Sequence, residues 1–230
     1  MSLSFPERLL VRLAPAEVGI GMKTIACEPQ TAAEPWQGAI AALKGEGLSR
    51  RCRITVELSN HFVRYALVPW SEALTSMAEE AAYVRHHFAR IHGERAKAWT
   101  VRASEAPLGA PRLASAVDKG LIDALKAAFP AKGKAKLVSV QPALMALFNR
   151  SRGAVPKDGA WVALAEPDRA CVALHMRGSW RAVQNAKGAW LALLERTRLA
   201  LEAESPQFVL LLAAGVPAGE APGWKVQALE

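Results

Sequence analysis

Twice along this chain, three short apolar strands in close succession are followed by a helix and then by another strand. The first set opens with the apolar run 9–13. Ala14-Pro15-Ala16-Glu17 turns it, residues 18–22 return, and 23–27 continue as a third strand. A helix over 33–43 places Trp36, Ile40 and Leu43 on one face, and Gly45 and Gly47 stop it. Residues 53–58 then alternate, Ile54, Val56 and Leu58 pointing one way and Arg53, Thr55 and Glu57 the other. The second set has strands at 160–165, 170–175 and 179–183, with turns at 166–169 and at Arg177-Gly178. A helix striped by Trp190, Leu194, Thr197 and Leu201 follows, then a strand at 208–213 apolar enough for burial on both faces. No residue-level repeat accompanies the pattern. Each set is a three-strand meander with a crossover helix, which predicts an α/β chain of two related lobes.

Between the sets, 61–68 reads as a strand closed by Pro69. Ser76 and Glu79 have capping-box spacing ahead of an amphipathic helix carrying Met77, Ala81, Val84, Phe88 and Ile91, and Gly93 ends it. Residues 99–103 alternate as a strand, 105–111 connect, and 112–117 lead to Asp118, a good N-cap. Leu121, Ile122, Leu125 and Phe129 carry the next helix, which Pro130 closes. A strand at 136–140 precedes Pro142, suited to the first position of a helix running to about residue 150. Residues 152–159 are a candidate boundary, 214–223 a Gly/Pro-rich loop, and 224–229 a last short strand.

Length and composition narrow the function classes. The 230 residues suffice for one large domain or two compact lobes, and 51% hydrophobic against 22% charged residues is an ordinary globular balance. The apolar runs 161–165 and 208–214 are too short to span a bilayer, and residues 1–8 carry no apolar run of the signal-peptide kind. Cys27, Cys52 and Cys171 lie far apart without metal-ligand spacing and read as reduced structural thiols. The net charge of +8 is scattered. Its densest cluster, Lys126, Lys132, Lys134 and Lys136, surrounds a turn and has no aromatic residues between its members, so no nucleic-acid partner is expected.

The stretch Leu58-Ser59-Asn60-His61-Phe62-Val63-Arg64-Tyr65-Ala66-Leu67-Val68-Pro69-Trp70, with Trp99-Thr100-Val101-Arg102, resembles a proteobacterial subgroup related to two actin-like families. These are the PilM proteins of type IV pilus assembly and the GspL cytoplasmic domain of type II secretion. The resemblance implies the actin-like fold, whose halves are ribonuclease-H-like. One lobe would occupy 1–152 with an inserted subdomain at about 53–117, and the other 153–230. It also implies a cytoplasmic location and a protein partner that is an inner-membrane assembly component. Relatives hold a short segment of such a partner in a groove between subdomains.

In nucleotide-hydrolysing members of the superfamily, two turns offer Asp and Gly to Mg²⁺ and phosphate. Here the first turn, with Ala14 and Glu17, places Pro15 where a backbone N–H is wanted. The second, Glu166-Pro167-Asp168-Arg169, keeps carboxylates but has no glycine. Only Gly215, in Ala213-Ala214-Gly215, resembles the adenosine-side turn, although such small-residue turns are common in α/β proteins. The cleft therefore reads as degenerate, with no catalytic residue, no cofactor and no metal. The alternatives are an ATP-binding actin-like enzyme with altered phosphate motifs, or a nucleic-acid-binding ribonuclease-H-like domain.

Other chemistry is poorly supported. No acidic residue stands in the first strand, so Glu57, Glu166 and Asp168 do not complete a two-metal nuclease. The adjacent His86 and His87 point about 100° apart on a helix, and His92 lies near its end, so all three read as surface or capping groups. Ser59 has no visible base and orienting group. Seven tryptophans stand against two tyrosines, and Trp70, Trp99, Trp161 and Trp180 fall in or beside strands, where core packing is the default. The residues expected to meet a partner are Asn60, His61, Arg64 and Trp70. The function expected is a non-catalytic scaffold whose basic charge favours peripheral contact with an anionic membrane surface.

Overall fold

The computed structural model describes residues 7–28, 34–48, 51–201, 204–214, 217 and 219–229. The chain begins with β1 (Glu7–Leu13), β2 (Glu17–Ile20), β3 (Lys23–Ala26), α1 (Gln37–Gly45), β4 (Cys52–Leu58) and β5 (Val63–Val68). Next come α2 (Met77–His92), a 3₁₀ turn over Gly93–Ala98, β6 (Trp99–Ala103), β7 (Arg112–Asp118), α3 (Lys119–Ala128), β8 (Ala135–Pro142) and α4 (Ala143–Ser151). A 3₁₀ turn at Arg152–Ala154 leads to β9 (Ala160–Glu166), β10 (Arg169–Met176), β11 (Ser179–Lys187), α5 (Trp190–Leu199), β12 (Phe208–Ala213) and β13 (Lys225–Ala228). The expected order of elements is present. Pro142 ends β8 rather than starting α4, because it closes the parallel pairing with Leu58.

Two five-stranded sheets share one plan. Their orders are β3-β2-β1-β4-β8 and β11-β10-β9-β12-β13. In both, the meander is antiparallel and the strand after the crossover helix returns parallel to the first, β4 beside β1 and β12 beside β9. The pattern repeat is therefore a structural repeat. A third sheet, β5-β7-β6, is assembled from the central part of the chain.

The chain divides into two compact units. One comprises Met1–Val63 with Val117–Ala143, the other Arg64–Ala116 with Leu144–Glu230. In the first, Ile54, Val56 and Leu58 are buried as their alternation requires. Glu57, on the face expected to be polar, is buried as well, and Arg12 stands 3.7 Å from its carboxylate. Arg53, on the same face, is exposed and Thr55 is half-buried, so the alternation fails only at the C-terminal end of β4. Trp36 packs its six-membered ring against Gly120, where a Cβ would come within 3.0 Å, so α1 and α3 meet through a large ring and a missing side chain.

In the second unit, Trp190, Leu193 and Leu194 of α5 pack on Trp161, Ala163 and Ala165 of β9 and on Val172 and Leu174 of β10. Alanines at every second position of β9 let the helix approach closely around the single large ring of Trp161. A smaller core joins Val84 and Phe88 of α2 to Ala66, Val68, Ala114 and Ala116. Here the sequence expectation needs correcting. Met77 and Ile91 share the apolar stripe of α2 but are 87% and 56% exposed. The sheet beneath has only three strands, and it covers only the middle of a helix of 16 residues. The capping box at Ser76 and Glu79 forms as expected, and Gly93 caps the helix with φ 65°. Among the described residues, no helix is long and apolar enough to cross a membrane.

Candidate functional site

β5 and β11 are both edge strands: β5 ends the three-stranded sheet and β11 ends the second five-stranded sheet. A groove of about 550 Å³ lies along them in the second unit. Its walls include residues 64–67 of β5 and 181–185 of β11. Side chains of a strand alternate between faces, so four or five successive residues can line one groove only if the strand presents its edge. The C-terminal parts of the helices α2, through His87, Ile91 and His92, and α5, through Thr197 and Ala200, complete it.

Local sequence explains how β5 presents this edge. Ala66 and Val68 are buried against α2, and Arg64 shares their face but extends past the end of that core. There it meets His92, whose pKa is lowered by burial and then by the Arg64 cation. Arg64 itself is held below the ordinary guanidinium range by burial and by Arg169. Tyr65, on the opposite face of β5, has its phenol pushed well above the usual range by burial, then by Cys171 and Glu166, partly offset by a backbone hydrogen bond at Leu144. His87 is lowered by burial, then by Arg90 and His86.

Of the residues expected to meet a partner, Arg64 lies in this groove. Trp70, just past β5, is 39% exposed and borders a small hollow with Glu80, Tyr83 and Arg112. Asn60 and His61 form the corner between β4 and β5. The Ser59 amide donates to Leu13 O at 2.9 Å, the His61 amide donates to Ser59 Oγ at 3.2 Å, and Ser59 Oγ lies 3.0 Å from His61 Nδ1. Asn60 is wholly buried. A side chain with no exposed surface has none to offer a partner in this conformation.

The two turns of the expected nucleotide cleft belong to different units. In the first, the Ala14 amide donates to Glu17 O at 3.0 Å, so one donor beside Pro15 is already committed. The Cys27 amide and thiol occupy the carbonyls of Ala16 and Pro15, and the thiol is pushed up by burial and then by the Glu17 carboxylate. In the second, Pro167 and Asp168 form a two-residue hairpin between the paired Glu166 and Arg169. Asp168 takes the left-handed position, φ 58°, that glycine would fill, which its short polar side chain tolerates. Its carboxylate is 74% exposed and 3.8 Å from Lys187. Gly215 lies outside the described residues. Among the described residues, no three or more His, Cys, Asp or Glu side chains come together as a metal site would need.

Comparison with solved structures gives the fold. The cytoplasmic domain of EpsL, an inner membrane component of the type II secretion system of Vibrio cholerae, superposes with a TM-score of 0.62 at 14% identity, over 96% of this chain and 88% of that one. The PilM-PilN type IV pilus biogenesis complex gives 0.63 at 16% identity, over 91% and 82%. A protein of unknown function with an actin-like ATPase fold, from Bacteroides thetaiotaomicron, gives 0.56 at 14% identity, over 92% and 82%. The fold is actin-like. The two sheets of matching order are the related halves of that fold, each with its meander and crossover helix. No family model matches the chain, and no curated protein matches it.

Sequence reasoning missed most of the actin-like chain's groove. It singled out Arg64, read His87 and His92 as surface or capping groups, and did not pick out Tyr65 or residues 181–185. The alternation of β11 is visible in the sequence. That it ends its sheet is a property of strand order, which no local pattern encodes.

Proposed function

We propose that this chain is a non-catalytic actin-like adaptor on the cytoplasmic side of an inner-membrane pilus or secretion assembly. In this reading it holds an extended segment of a membrane-protein partner in the groove between β5 and β11. The observation that carries the proposal is the groove's construction from two sheet edges, since an extended chain can add to such an edge through its main-chain N–H and C=O groups. The likeness to a secretion component and to a pilus biogenesis complex supports the cellular setting. Arg64 and Trp70 are the surface contacts proposed, with Asn60 and His61 shaping the corner that leads into β5. The net charge of +8 favours peripheral contact with anionic headgroups. The committed amide at Ala14, Pro15 and the outward Asp168 support the absence of nucleotide chemistry.

A photo-crosslinking residue at Val183, in the groove, tests the proposal in cells of the source organism. Capture of a membrane-anchored protein through a segment on its cytoplasmic side is expected. Its loss on replacing Arg64 with alanine would agree, and absence of any membrane-protein adduct from Val183 would sink the proposal.

A further inference from the structure

The five-stranded sheet of the first unit carries a row of like charges on one face. β1, β4 and β8 run parallel, with Arg8 in register with Arg53 and Arg53 with Lys136. Register partners on adjacent strands point to the same face, about 4.8 Å apart, and like charges placed so repel. A second row lies one step toward the strand starts. Burial alternates through Arg51, Cys52 and Arg53, exposed, buried and exposed, and in the same way through Lys134, Ala135 and Lys136. The Cys52 amide donates to Lys134 O at 3.2 Å and holds the two chains in step there. Five exposed cations thus share one corner of the sheet face, an area of about 10 by 7 Å. Elsewhere in the unit Arg12 meets Glu57, Lys23 meets Glu46, and Lys119 and Lys126 meet Asp123. Among the described residues, Arg8, Arg51, Arg53, Lys134 and Lys136 have no such carboxylate partner. Glu57, the acidic residue on the same face of β4, lies four residues beyond Arg53, about 13 Å along the strand.

We infer that this corner of the sheet is the surface on which the protein lies against anionic lipid headgroups. The inference rests on the peripheral membrane contact proposed above and gives that contact a place. A layer of headgroups needs no matching groove, only cations in number, and five in one corner fall within the range of about four to eight that such contacts use. Neutralising the row also relieves its own repulsion, which adds to the attraction. A nucleic-acid single strand fits less well, because the next side chains on this face are Leu10 and Thr55, with no ring on which a base could stack. An added peptide strand fits less well too, because the backbone of β4 is already paired on both sides, with β1 and with β8.

Sedimentation of the full chain with vesicles tests the inference, comparing phosphatidylcholine alone with equal parts phosphatidylcholine and phosphatidylglycerol. Preference for the anionic vesicles is expected at about 0.1 M salt and its loss at about 1 M, where the screening length falls from about 10 to about 3 Å. The double variant Arg53→Gln, Lys136→Gln is expected to weaken binding about 25-fold, roughly fivefold for each cation removed. Lys119→Gln, Lys126→Gln removes the same charge from α3 and is expected to weaken it less than about threefold. Lys136→Glu gives Arg53 a neighbour of opposite charge, so it should bind as weakly as the first double variant while melting no lower than the native chain. Equal loss in the two double variants would overturn the assignment to this face and leave a peripheral contact set by net charge. Equal sedimentation of the native chain with both vesicles would overturn the face and the peripheral contact together, while the adaptor reading is judged separately by the crosslink at Val183. Tighter retention of duplex DNA than of the anionic vesicles, lost in Arg53→Gln, Lys136→Gln, would overturn the membrane assignment in favour of nucleic acid.

Discussion

Glu80 and Arg112 form a two-point ion pair, Nη1 to Oε2 at 2.6 Å and Nη2 to Oε1 at 3.0 Å, which ties α2 to β7. Both side chains are one-third exposed, so solvent screens the pair and its worth is modest, about 1 kcal/mol. Arg112→Lys keeps the charge but cannot make both bonds in one plane. It is expected to lose most of what Arg112→Ala loses. Urea unfolding of the two variants checks this; a lysine variant as stable as the native chain would show that charge alone suffices.

Gly159 faces a harder limit. Its φ is 108°, and a Cβ there would sit 2.4 Å from His175 O and 2.9 Å from Met176 Cα. Backbone atoms of a paired strand cannot move aside. Gly159→Ala is expected to cost at least about 2 kcal/mol, whereas the same change at Gly178, which has φ 79° but open space around it, costs only the conformational strain. Thermal unfolding should show the first variant clearly below the second.

Leu194 is fully buried beneath the α5–sheet core. Leu194→Ala removes its contacts and leaves a cavity that rigid β9 and β10 cannot fill, with an expected loss of about 3 kcal/mol. Leu199, on the same helix but 75% exposed, should change by less than about 0.5 kcal/mol. The contrast is readable in one denaturation series.

His175 sits at a register irregularity in β10, 4.7 Å from the Phe148 ring and 5.1 Å from the Trp180 ring between centroids. Burial, then Arg152, lowers its pKa from the ordinary value of 6.5. The unfolded chain therefore binds the proton more readily than the folded one. Stability holds above the unfolded value and declines as pH falls from there toward the lowered folded value. His87 and His92 are lowered too and act with the same sign. His175→Phe should flatten, without abolishing, the loss of stability between neutral and mildly acid pH, as read from melting temperatures across that range. An unchanged slope would remove His175 as a contributor.

Mg-ATP should not bind measurably. Isothermal titration showing micromolar binding would contradict the reading of the two turns at Pro15 and Pro167.

Much of the fold is legible from local pattern. The capping box at Ser76, the N-cap at Asp118, whose Oδ1 accepts from the Gly120 amide at 2.7 Å, and the meanders all depend on neighbours in sequence. Glu57 and Met77 show where local reading fails. One is buried at the end of a strand whose start, at Arg53, keeps the same face exposed, and the other is exposed because its helix outruns its sheet. The candidate site follows the same division. Arg64 stood out through the motif around it, whereas Arg181 joins it only through strand order.

The sequence by itself determined the elements, their repeated order and the prolines in both turns, because alternation, periodicity and ring geometry act over a few residues. The tertiary structure alone decided which strands end their sheets, and so where β5 and β11 leave a groove open. Edge status depends on pairing between strands far apart in the chain, and nothing in either strand's own residues records it.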